Sequence, residues 1–402
     1  MLTQRFADCR IALFANTDWY LYNFRLPLAE ALRREGADVL LIAPPGPYAA
    51  RLTDHGFRFI PFAFHRLSLN PLQQASAVAR LTGVYRRESP NLVHHFTIKC
   101  AAYGSLAARA AGGIAVVNAF AGFGSVFARD ASRFQGTRRI VLGTLRLALA
   151  GTDVIVQNPD DQALLTESGL APPGRVRLIR GSGVNLDRFH PVDRSGRGTL
   201  RVLLASRLLR SKGIEVFETV AARLRGRVDA EFLLAGAPDE GNPDSLRRWE
   251  LDALAARGNI RLLGHIDDMP ALLAAADLVV LPTTYGEGVP RILIEAAAAG
   301  LPLVATDVPG CREIVREGDN GRLIKAGDID ALTAAIERIL TDAAARAAMG
   351  AASRGIAVDF SETRVIADTV QVYAYALGAL KGAHVTIAPN RSKLRHPISR
   401  KS

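Results

Sequence analysis

Short apolar runs rich in Val, Ile, Leu and Phe recur along this chain, and segments with helical periodicity separate them. Alternation of this kind is typical of parallel βαβ units, whose strands are buried on both faces. The first series predicts strands at Arg10–Asn16, Val39–Pro44, Phe57–Phe62, Leu92–Phe96, Ile114–Phe120, Asp153–Asn158 and Val176–Ile179. The second series predicts strands at Leu200–Arg207, Ala230–Gly236, Ile260–Gly264, Asp277–Pro282, Pro302–Asp307 and Gly321–Lys325. The sequence therefore predicts an α/β protein with two doubly wound, Rossmann-like domains.

A stretch rich in glycine and charged residues separates the two series and has no apolar period, from Gly181 to Gly198. The chain of 402 residues is also long enough for more than one core. The sequence predicts an N-terminal domain at residues 1–190, a C-terminal domain at residues 191–361, a final helix at residues 362–380 and a basic tail at residues 381–402. Two such sheets facing each other form a cleft at the carboxyl ends of their strands, where ligands bind.

The formal net charge of +11 is concentrated at the C-terminal end. The tail contains six basic residues and no acidic one, at Lys381, Arg391, Lys393, Arg395, Arg400 and Lys401. Such a tail fits contact with an anionic membrane surface or simple exposure to solvent. Both interpretations are favoured over nucleic-acid binding, because the charge is not spread over a folded face. Residues 129–150 interleave arginines with apolar residues, which fits either an interfacial helix or an ordinary core-facing one.

Cysteine usage and the absence of long apolar runs indicate the compartment. Cys9, Cys100 and Cys311 are widely spaced and form no CxxC pair, which favours a reducing environment without a disulfide or zinc framework. The N-terminus lacks the pattern of a signal peptide, and charged or polar residues interrupt every later run. We therefore expect a cytoplasmic protein, peripheral on the anionic inner leaflet of the cell membrane.

A glycine-flanked loop and a helix follow one strand of the second series. The segment Tyr285–Gly300 carries Glu287 in the loop and Glu295 two turns into the helix, and Pro290 suits the first helical turn. A helix N-terminus offers unpaired N–H groups and a positive dipole to a phosphate. Carboxylates accept hydrogen bonds from the hydroxyls of ribose and sugar. Taken alone, the two glutamates also fit a surface residue and an ordinary helix ion pair.

A second charged segment, Ser206–Gly213, follows the first strand of the same series and places Arg207 and Lys212 at its carboxyl edge. Two fixed cations neutralise a diphosphate leaving group without a metal. The pair Asp328 and Asp330 resembles a metal-binding DxD, but Asp328 precedes a helical pattern and is better explained as its N-cap. We expect neither a metal nor a cofactor.

Together, Ser206–Gly213, Gly286–Glu295 and Ala298–Gly310 closely resemble the family-4 retaining glycosyltransferases, which have the GT-B fold. The resemblance implies a nucleotide-sugar donor, with UDP as the common nucleotide, in the C-terminal domain. It also implies a final helix that crosses back to the N-terminal domain. The donor-site residues that it implies are Arg207 and Lys212 for the diphosphate, Glu287 for the transferred sugar, Glu295 for the ribose, Gly288, Val289, Pro290 and Gly310 for backbone contacts, and His265 near the base.

The N-terminal domain is similar to the branch of that family that extends polyprenol-diphosphate-linked saccharides, including the N-acetylgalactosaminyltransferases of bacterial glycan assembly. The segments that carry the similarity are Tyr22–Pro27, Leu67–Pro71, His94–Lys99 and Val117–Gly124. The resemblance implies such a saccharide as the acceptor, in O-antigen, capsule or related polysaccharide synthesis. The expected acceptor-side residues are Arg25, His94, His95, Lys99 and Asn118. Relatives carry a glycine pair where this chain has Asn16–Asp18 and a histidine where it has Asn118, so that histidine's role does not transfer.

The predicted reaction is a retaining transfer in which the departing diphosphate takes the acceptor hydroxyl's proton, and Glu287 orients the sugar. A glucan synthase or a nucleotide-sugar epimerase on the same architecture remains an alternative, separable by the need for an external acceptor. Outside the enzymes, a basic nucleic-acid-binding protein or a sugar-nucleotide-binding scaffold remains open. Deletion of the tail separates these, because it abolishes nucleic-acid affinity and leaves donor turnover intact.

Overall fold

The computed structural model describes residues 5–64, 70–123, 135–194, 196 and 198–380. Within them, every strand predicted from the sequence is present, each within three residues of its expected ends. Strands β1–β7 are Arg10–Phe14, Asp38–Ala43, Arg58–Pro61, Leu92–Phe96, Ala115–Phe120, Asp153–Val156 and Val176–Leu178. Strands β8–β13 are Leu200–Ala205, Ala230–Ala235, Arg261–Gly264, Leu278–Leu281, Leu303–Thr306 and Gly321–Ile324.

The strands form two separate parallel sheets. The first has the order β3-β2-β1-β4-β5-β6-β7, and the second has the order β10-β9-β8-β11-β12-β13. In each sheet the chain winds outward in one direction and then returns past its first strand, so the order reverses beside β1 and beside β8. Ligands bind at this reversal in doubly wound sheets, outside the carboxyl ends of the strands. The predicted fold class of two Rossmann-like units is confirmed.

Helices cover both faces of the sheets. Those of the first half are α1 to α7, at Asp18–Tyr20, Leu26–Arg34, Tyr48–Asp54, Pro71–Glu88, Ile98–Ala111, Gln135–Leu149 and Pro159–Glu167. A π-helical turn, Leu21–Arg25, joins α1 to α2. Helices α8 to α15 are Ile214–Leu224, Arg248–Arg257, Met269–Ala275, Arg291–Ala298, Cys311–Ile314, Ile329–Thr341, Ala343–Ala357 and Glu362–Leu380. Short 3-10 turns occur at Pro173–Arg175, Arg210–Lys212 and Val358–Phe360.

Two helix starts test the local sequence signals. The Asp328 carboxylate accepts a hydrogen bond from Ala331 N at 2.9 Å, which confirms it as the N-cap of α13. Pro290 is the residue before α11 and has extended backbone angles, so it lies one position outside the predicted helical turn. The helix therefore begins at Arg291, one residue later than the sequence predicted.

The final helix crosses back to the N-terminal sheet, as the family resemblance implied. Its residues Val365, Val370 and Tyr373 are buried in the same apolar cluster as Leu13 of β1. The chain enters this helix through a parallel bridge in which Val184 N donates to Phe360 O at 2.9 Å, and Glu362 N donates to Val184 O at 2.9 Å. Burial of this apolar face stabilises the crossing by the hydrophobic effect.

Parts of some predictions lie outside the described residues: Leu67 to Leu69 of the segment Leu67–Pro71, Gly124, the beginning of the basic stretch at 129–134, and the tail at 381–402. The remainder of the basic stretch forms α6. Among the helices that the structure describes, none combines the length and the apolar character that a bilayer crossing requires.

Candidate active site

Three loops meet at the carboxyl edge of the C-terminal sheet. Lys212 ends the 3-10 turn after β8, is 6% exposed, and donates from Nζ to Glu287 Oε1 in the loop after β11. Gly213 has a φ of +76°, and a Cβ there would lie 2.1 Å from Pro282 O. The glycine is therefore required for the close approach that brings Lys212 to Glu287.

The loop after β12 completes this arrangement. Gly310 has a φ of +86°, and a Cβ at this position would lie 1.5 Å from Gly288 O. Glu287 N donates to Pro309 O at 3.2 Å. Gly288 and Gly310 thus pack backbone to backbone beside the Lys212–Glu287 pair, at the free N-terminal end of α11.

Arg207 lies on the same edge but does not join that pair. Its Nη1 donates to Asp239 Oδ2 at 2.6 Å, and its side chain is 56% exposed. His265 follows β10 on the outer side of the sheet, with Nε2 3.3 Å from Asp267 Oδ1 and a side chain that is 54% exposed. Both therefore flank the loops that converge on Glu287 rather than contacting it.

Glu295 is 7% exposed on α11 and accepts a hydrogen bond from Arg291 Nε at 2.6 Å. Burial raises the pKa of the Glu295 carboxyl, and the Arg291 guanidinium opposes that rise. Arg291 also donates from Nη1 to Asn23 O, and its guanidinium lies 4.6 Å from the ring centre of Phe24. One side chain thus joins the donor-side carboxylate to the π-helical turn of the other half.

The donor loop also contacts the carboxyl edge of the N-terminal sheet. Gly288 N donates to Ala121 O at 3.0 Å, and Val289 N donates to Gln157 Oε1 at 3.0 Å. Asn158 Nδ2 donates to Glu287 O at 2.9 Å. The carboxyl edges of the two sheets therefore meet around Glu287. Sequence reasoning missed Gln157, Asn158 and Arg291, because each makes its contact across the cleft.

The expected acceptor contacts at His95 and Asn118 are not supported by their positions. Both lie inside the sheet and are 0% exposed. His95 Nδ1 lies 2.8 Å from Asn118 Oδ1, and His95 Nε2 lies 3.0 Å from the Tyr85 hydroxyl. Burial lowers the pKa of His95 to about 4, so its ring is neutral at neutral pH. These groups form a polar network that links β4, β5 and α4 beneath the cleft.

His94 is also placed differently from the prediction. Its side chain is 1% exposed and points to the other face of β4, with Nδ1 2.6 Å from the hydroxyl of Tyr373 on α15. Burial lowers the pKa of His94 well below its usual range. Because successive side chains of a strand point to opposite faces and β4 is covered on both, neither of its histidines reaches the cleft.

Two cations lie close to the carboxyl end of β4. Arg25 is 6% exposed, donates to the Tyr20 hydroxyl at 2.8 Å and stacks on Phe96, with 4.4 Å to the ring centre. Within the described residues, no carboxylate forms an ion pair with it. Lys99 lies in the first turn of α5, and partial burial lowers the pKa of its ammonium group. Thr97 precedes it with a φ of +76°, a strained backbone of the kind found at functional sites.

Two Rossmann-like sheets face each other, and the Lys212–Glu287 pair and the N-terminus of α11 lie between them. This arrangement defines a nucleotide-sugar transferase of the GT-B class. The family described as "Glycosyl transferases group 1" matches residues 199–342, and the family described as "Glycosyl transferase 4-like" matches residues 10–159. The chain belongs to the group 1, or family-4, glycosyltransferases, which are retaining hexosyltransferases that use nucleotide-sugar donors.

Several proteins are similar over most of this chain. The N,N'-diacetylbacillosaminyl-diphospho-undecaprenol alpha-1,3-N-acetylgalactosaminyltransferase of Campylobacter jejuni is 26% identical, over 90% of this chain and 98% of its own length. The UDP-Gal:alpha-D-GlcNAc-diphosphoundecaprenol alpha-1,3-galactosyltransferase of Escherichia coli is 27% identical, over 78% and 82%. Sucrose-phosphate synthase from Thermosynechococcus elongatus has a similar structure, with a TM-score of 0.75, 22% identity and coverage of 92% and 100%.

Proposed function

We propose that this glycosyltransferase moves a hexose or N-acetylhexosamine from a UDP-sugar to a polyprenol-diphosphate-linked saccharide in the assembly of a cell-surface glycan. The observation that carries the transfer itself is the Lys212–Glu287 pair, held at the meeting point of both sheets. The choice of acceptor rests on the two relatives whose names specify undecaprenol-diphosphate sugars. One of these names also specifies a UDP donor.

On the donor side, we assign Lys212 and Arg207 to the diphosphate and Glu287 to the hydroxyls of the transferred sugar. Lys212 is buried and already paired, so its charge is fixed in place before a substrate enters. Charge placed in advance stabilises a leaving group without reorganisation. Glu295 is assigned to the ribose, the backbone at Gly310 to the phosphates, and the loop of His265 to the base. The stretch from Gly288 to Pro290 is assigned to holding Glu287 in place, because Gly288 N and Val289 N donate to Ala121 O and Gln157 Oε1 and proline has no N–H.

On the acceptor side, we assign Lys99 and Arg25 to the acceptor diphosphate. Lys99 lies at the N-terminus of a long helix, where free N–H groups and the helix dipole favour an anion. Arg25 is a buried guanidinium without an anionic partner among the described residues, which is costly unless a ligand supplies one. Because the proposed acceptor is lipid-linked, we also propose that the protein binds the anionic inner-leaflet surface of the membrane.

The proposed chemistry is a front-face substitution. The acceptor hydroxyl approaches the anomeric carbon from the side on which the diphosphate leaves. The bond from that carbon to the phosphate oxygen breaks with its electron pair going to the diphosphate, the new glycosidic bond forms, and a diphosphate oxygen takes the hydroxyl's proton. Glu287 contributes by orienting the sugar, because its carboxylate is occupied by Lys212. Catalysis then arises from positioning and charge stabilisation.

The test incubates the purified protein and its Glu287→Ala variant with a panel of UDP- and GDP-sugars, each with and without a polyprenol-diphosphate-linked saccharide. Nucleotide release is followed, and the product linkage is determined by NMR. We expect one UDP-sugar to be consumed only when the lipid-linked acceptor is present, and the variant to be inactive. Consumption with a free sugar or glucan acceptor, or without any acceptor, would overturn the proposal.

A further inference from the structure

Two neighbouring side chains of the N-terminal sheet hold the donor loop of the opposite domain. Gln157 and Asn158 directly follow β6 and are 6% and 0% exposed. Gln157 Oε1 accepts from Val289 N at 3.0 Å, and Asn158 Nδ2 donates to Glu287 O at 2.9 Å. Both bonds end on the backbone of the loop that carries Glu287.

The N-cap hydrogen bond of helix α7 fixes the orientation of the Asn158 amide. Asn158 is the N-cap of α7, and its Oδ1 accepts from Asp161 N at 2.7 Å. Its Nδ2 also donates to Asp161 Oδ2 at 2.8 Å. Because the cap uses the oxygen, the amide nitrogen must point toward Asp161 and Glu287. The side chain therefore reaches the donor loop from a rigid base.

Two glycines at this contact leave no room for a side chain. A Cβ at Gly288 would lie 2.2 Å from Gln157 Oε1. Gly122 has a φ of +100°, and a Cβ there would lie 2.6 Å from the carbonyl carbon of Glu287. The donor loop and the N-terminal domain therefore lie in close contact at Gly122 and Gly288.

We propose that Gln157 and Asn158 are positioning residues for sugar transfer. They act through the backbone of Glu287 and Val289, and they bring the donor loop into its working geometry only when the acceptor domain is closed. This inference rests on the proposed function, in which Glu287 contacts the transferred sugar. The inference implies an effect on kcat rather than on the Kd for UDP. The residues assigned to UDP, Arg207 and Glu295, lie in the C-terminal domain, whereas Gln157 and Asn158 lie in the N-terminal domain.

Two variants remove the contacts and keep the local structure. Asn158→Ser retains an oxygen for the cap of α7 but is too short to reach Glu287 O. Gln157→Met keeps the side-chain length and removes the acceptor for Val289 N. The matched control is Asp342→Ser at the exposed N-cap of α14, whose carboxylate accepts from Ala345 N at 2.9 Å and not from the donor loop. Serine is a good N-cap residue in both places.

We expect each cleft variant to lower kcat roughly tenfold to a hundredfold, as for a reacting group misplaced by about 1 Å. The Kd for UDP should stay within about twofold of the wild-type value, and the control should match the wild type in both. Combining Asn158→Ser with Gln157→Met should lower kcat by less than the product of the two single effects, because both residues hold the same loop. An unchanged kcat, a loss confined to UDP binding, or multiplicative effects would overturn the inference.

A second measurement needs no substrate and separates this inference from the proposed function. Hydrogen exchange of the Gly288 and Val289 amides should be slow in the wild type and faster in Gln157→Met and Asn158→Ser, but not in Asp342→Ser. Equal exchange in all four proteins would overturn the inference even if transfer is active. A wild-type protein that transfers no sugar but shows the exchange difference would overturn the proposed acceptor and leave the positioning contact established.

Discussion

Arg291 and Glu295 form an ion pair across one turn of α11, with Nε 2.6 Å from Oε1, and the same arginine reaches Asn23 O in the opposite half. The carboxylate expected to bind ribose is therefore connected by one side chain to the turn that carries Arg25. The ion pair is largely desolvated, since the side chains are 22% and 9% exposed. Arg291 is therefore a direct physical link between Glu295 and the N-terminal domain.

Replacing Arg291 with methionine leaves the Glu295 carboxylate buried without its partner. Breaking a buried pair from one side costs about 3–5 kcal/mol of the free energy of unfolding. We expect Arg291→Met to approach that loss and to raise the donor KM, because the uncompensated carboxyl has a still higher pKa and is protonated more readily. Urea denaturation and donor titration measure the two effects.

The double variant Arg291→Met with Glu295→Gln is the control for this prediction. It removes both charges, so it should recover a large part of the lost stability while leaving donor binding weak. A double variant that is no more stable than Arg291→Met would show that the arginine contributes through Asn23 and Phe24 instead of through the ion pair.

Replacing Lys212 tests the fixed charge at the leaving group. Lys212→Met keeps the length of the buried stem and removes the ammonium group beside Glu287. We expect kcat to fall on the order of 10²–10³-fold, the usual effect of deleting one preorganised charge contact. Nucleotide release at saturating donor measures it. Arg210→Met is the matched control, because Arg210 lies in the same turn but pairs with Glu250 at 2.6 Å. A similar loss in both variants would contradict a specific role for Lys212.

The sequence predicted the strands well and the meeting of the domains poorly. A strand buried on both faces is a continuous apolar run, as in Leu278–Leu281 and Leu303–Thr306, so the central strands left a clear mark in the sequence. The donor loops could be predicted because their glycines and charged residues lie close together in the sequence. Asn158 also left a local mark, since Asn before Pro159 indicates a helix start, but nothing local indicates that its amide reaches Glu287.

The positions of His94 and His95, in contrast, could not be predicted from the sequence. His94 and His95 are polar residues near the end of a predicted strand, and the resemblance favoured a place in the cleft. In the structure, one binds Tyr373 of the final helix and the other binds Asn118 of the neighbouring strand. Their partners are 279 and 23 residues away in sequence, so only the packing of α15 and the register of β4 against β5 could assign them.

Glycine substitutions test the close approach of the donor loops. Gly310→Ala forces a Cβ to within 1.5 Å of Gly288 O at a φ of +86°, so the two loops must separate. We expect a loss of more than about 2 kcal/mol in the free energy of unfolding, from strain and lost packing. Gly83→Ala is the control, because a Cβ on that exposed residue of α4 meets nothing within 4 Å. It should stabilise the protein by about 0.5–1 kcal/mol. Equal effects in chemical denaturation would contradict the steric argument.

The buried His95 ring predicts how stability depends on pH. Its pKa falls from 6.5 to about 4 on folding, so the unfolded chain binds more protons than the native protein between these values. Stability that is fully present above pH 6.5 should therefore decrease as the pH falls toward 4, by about 3 kcal/mol from this one group. His95→Gln removes the titrating ring, and the slope of unfolding free energy against pH in that window should be smaller than in the wild type.

Asp161 acts with the opposite sign in part of the same window. Burial raises the pKa of its carboxyl from 3.8 to about 6, so the native protein binds more protons there and stability from this group is lost as the pH rises. Asp161→Asn should therefore steepen the acid-side loss that His95→Gln reduces. Urea unfolding of both variants between pH 4 and 7 measures the two slopes. A slope that changes in the same direction in both would contradict the lowered pKa of His95 and the raised pKa of Asp161 in the folded protein.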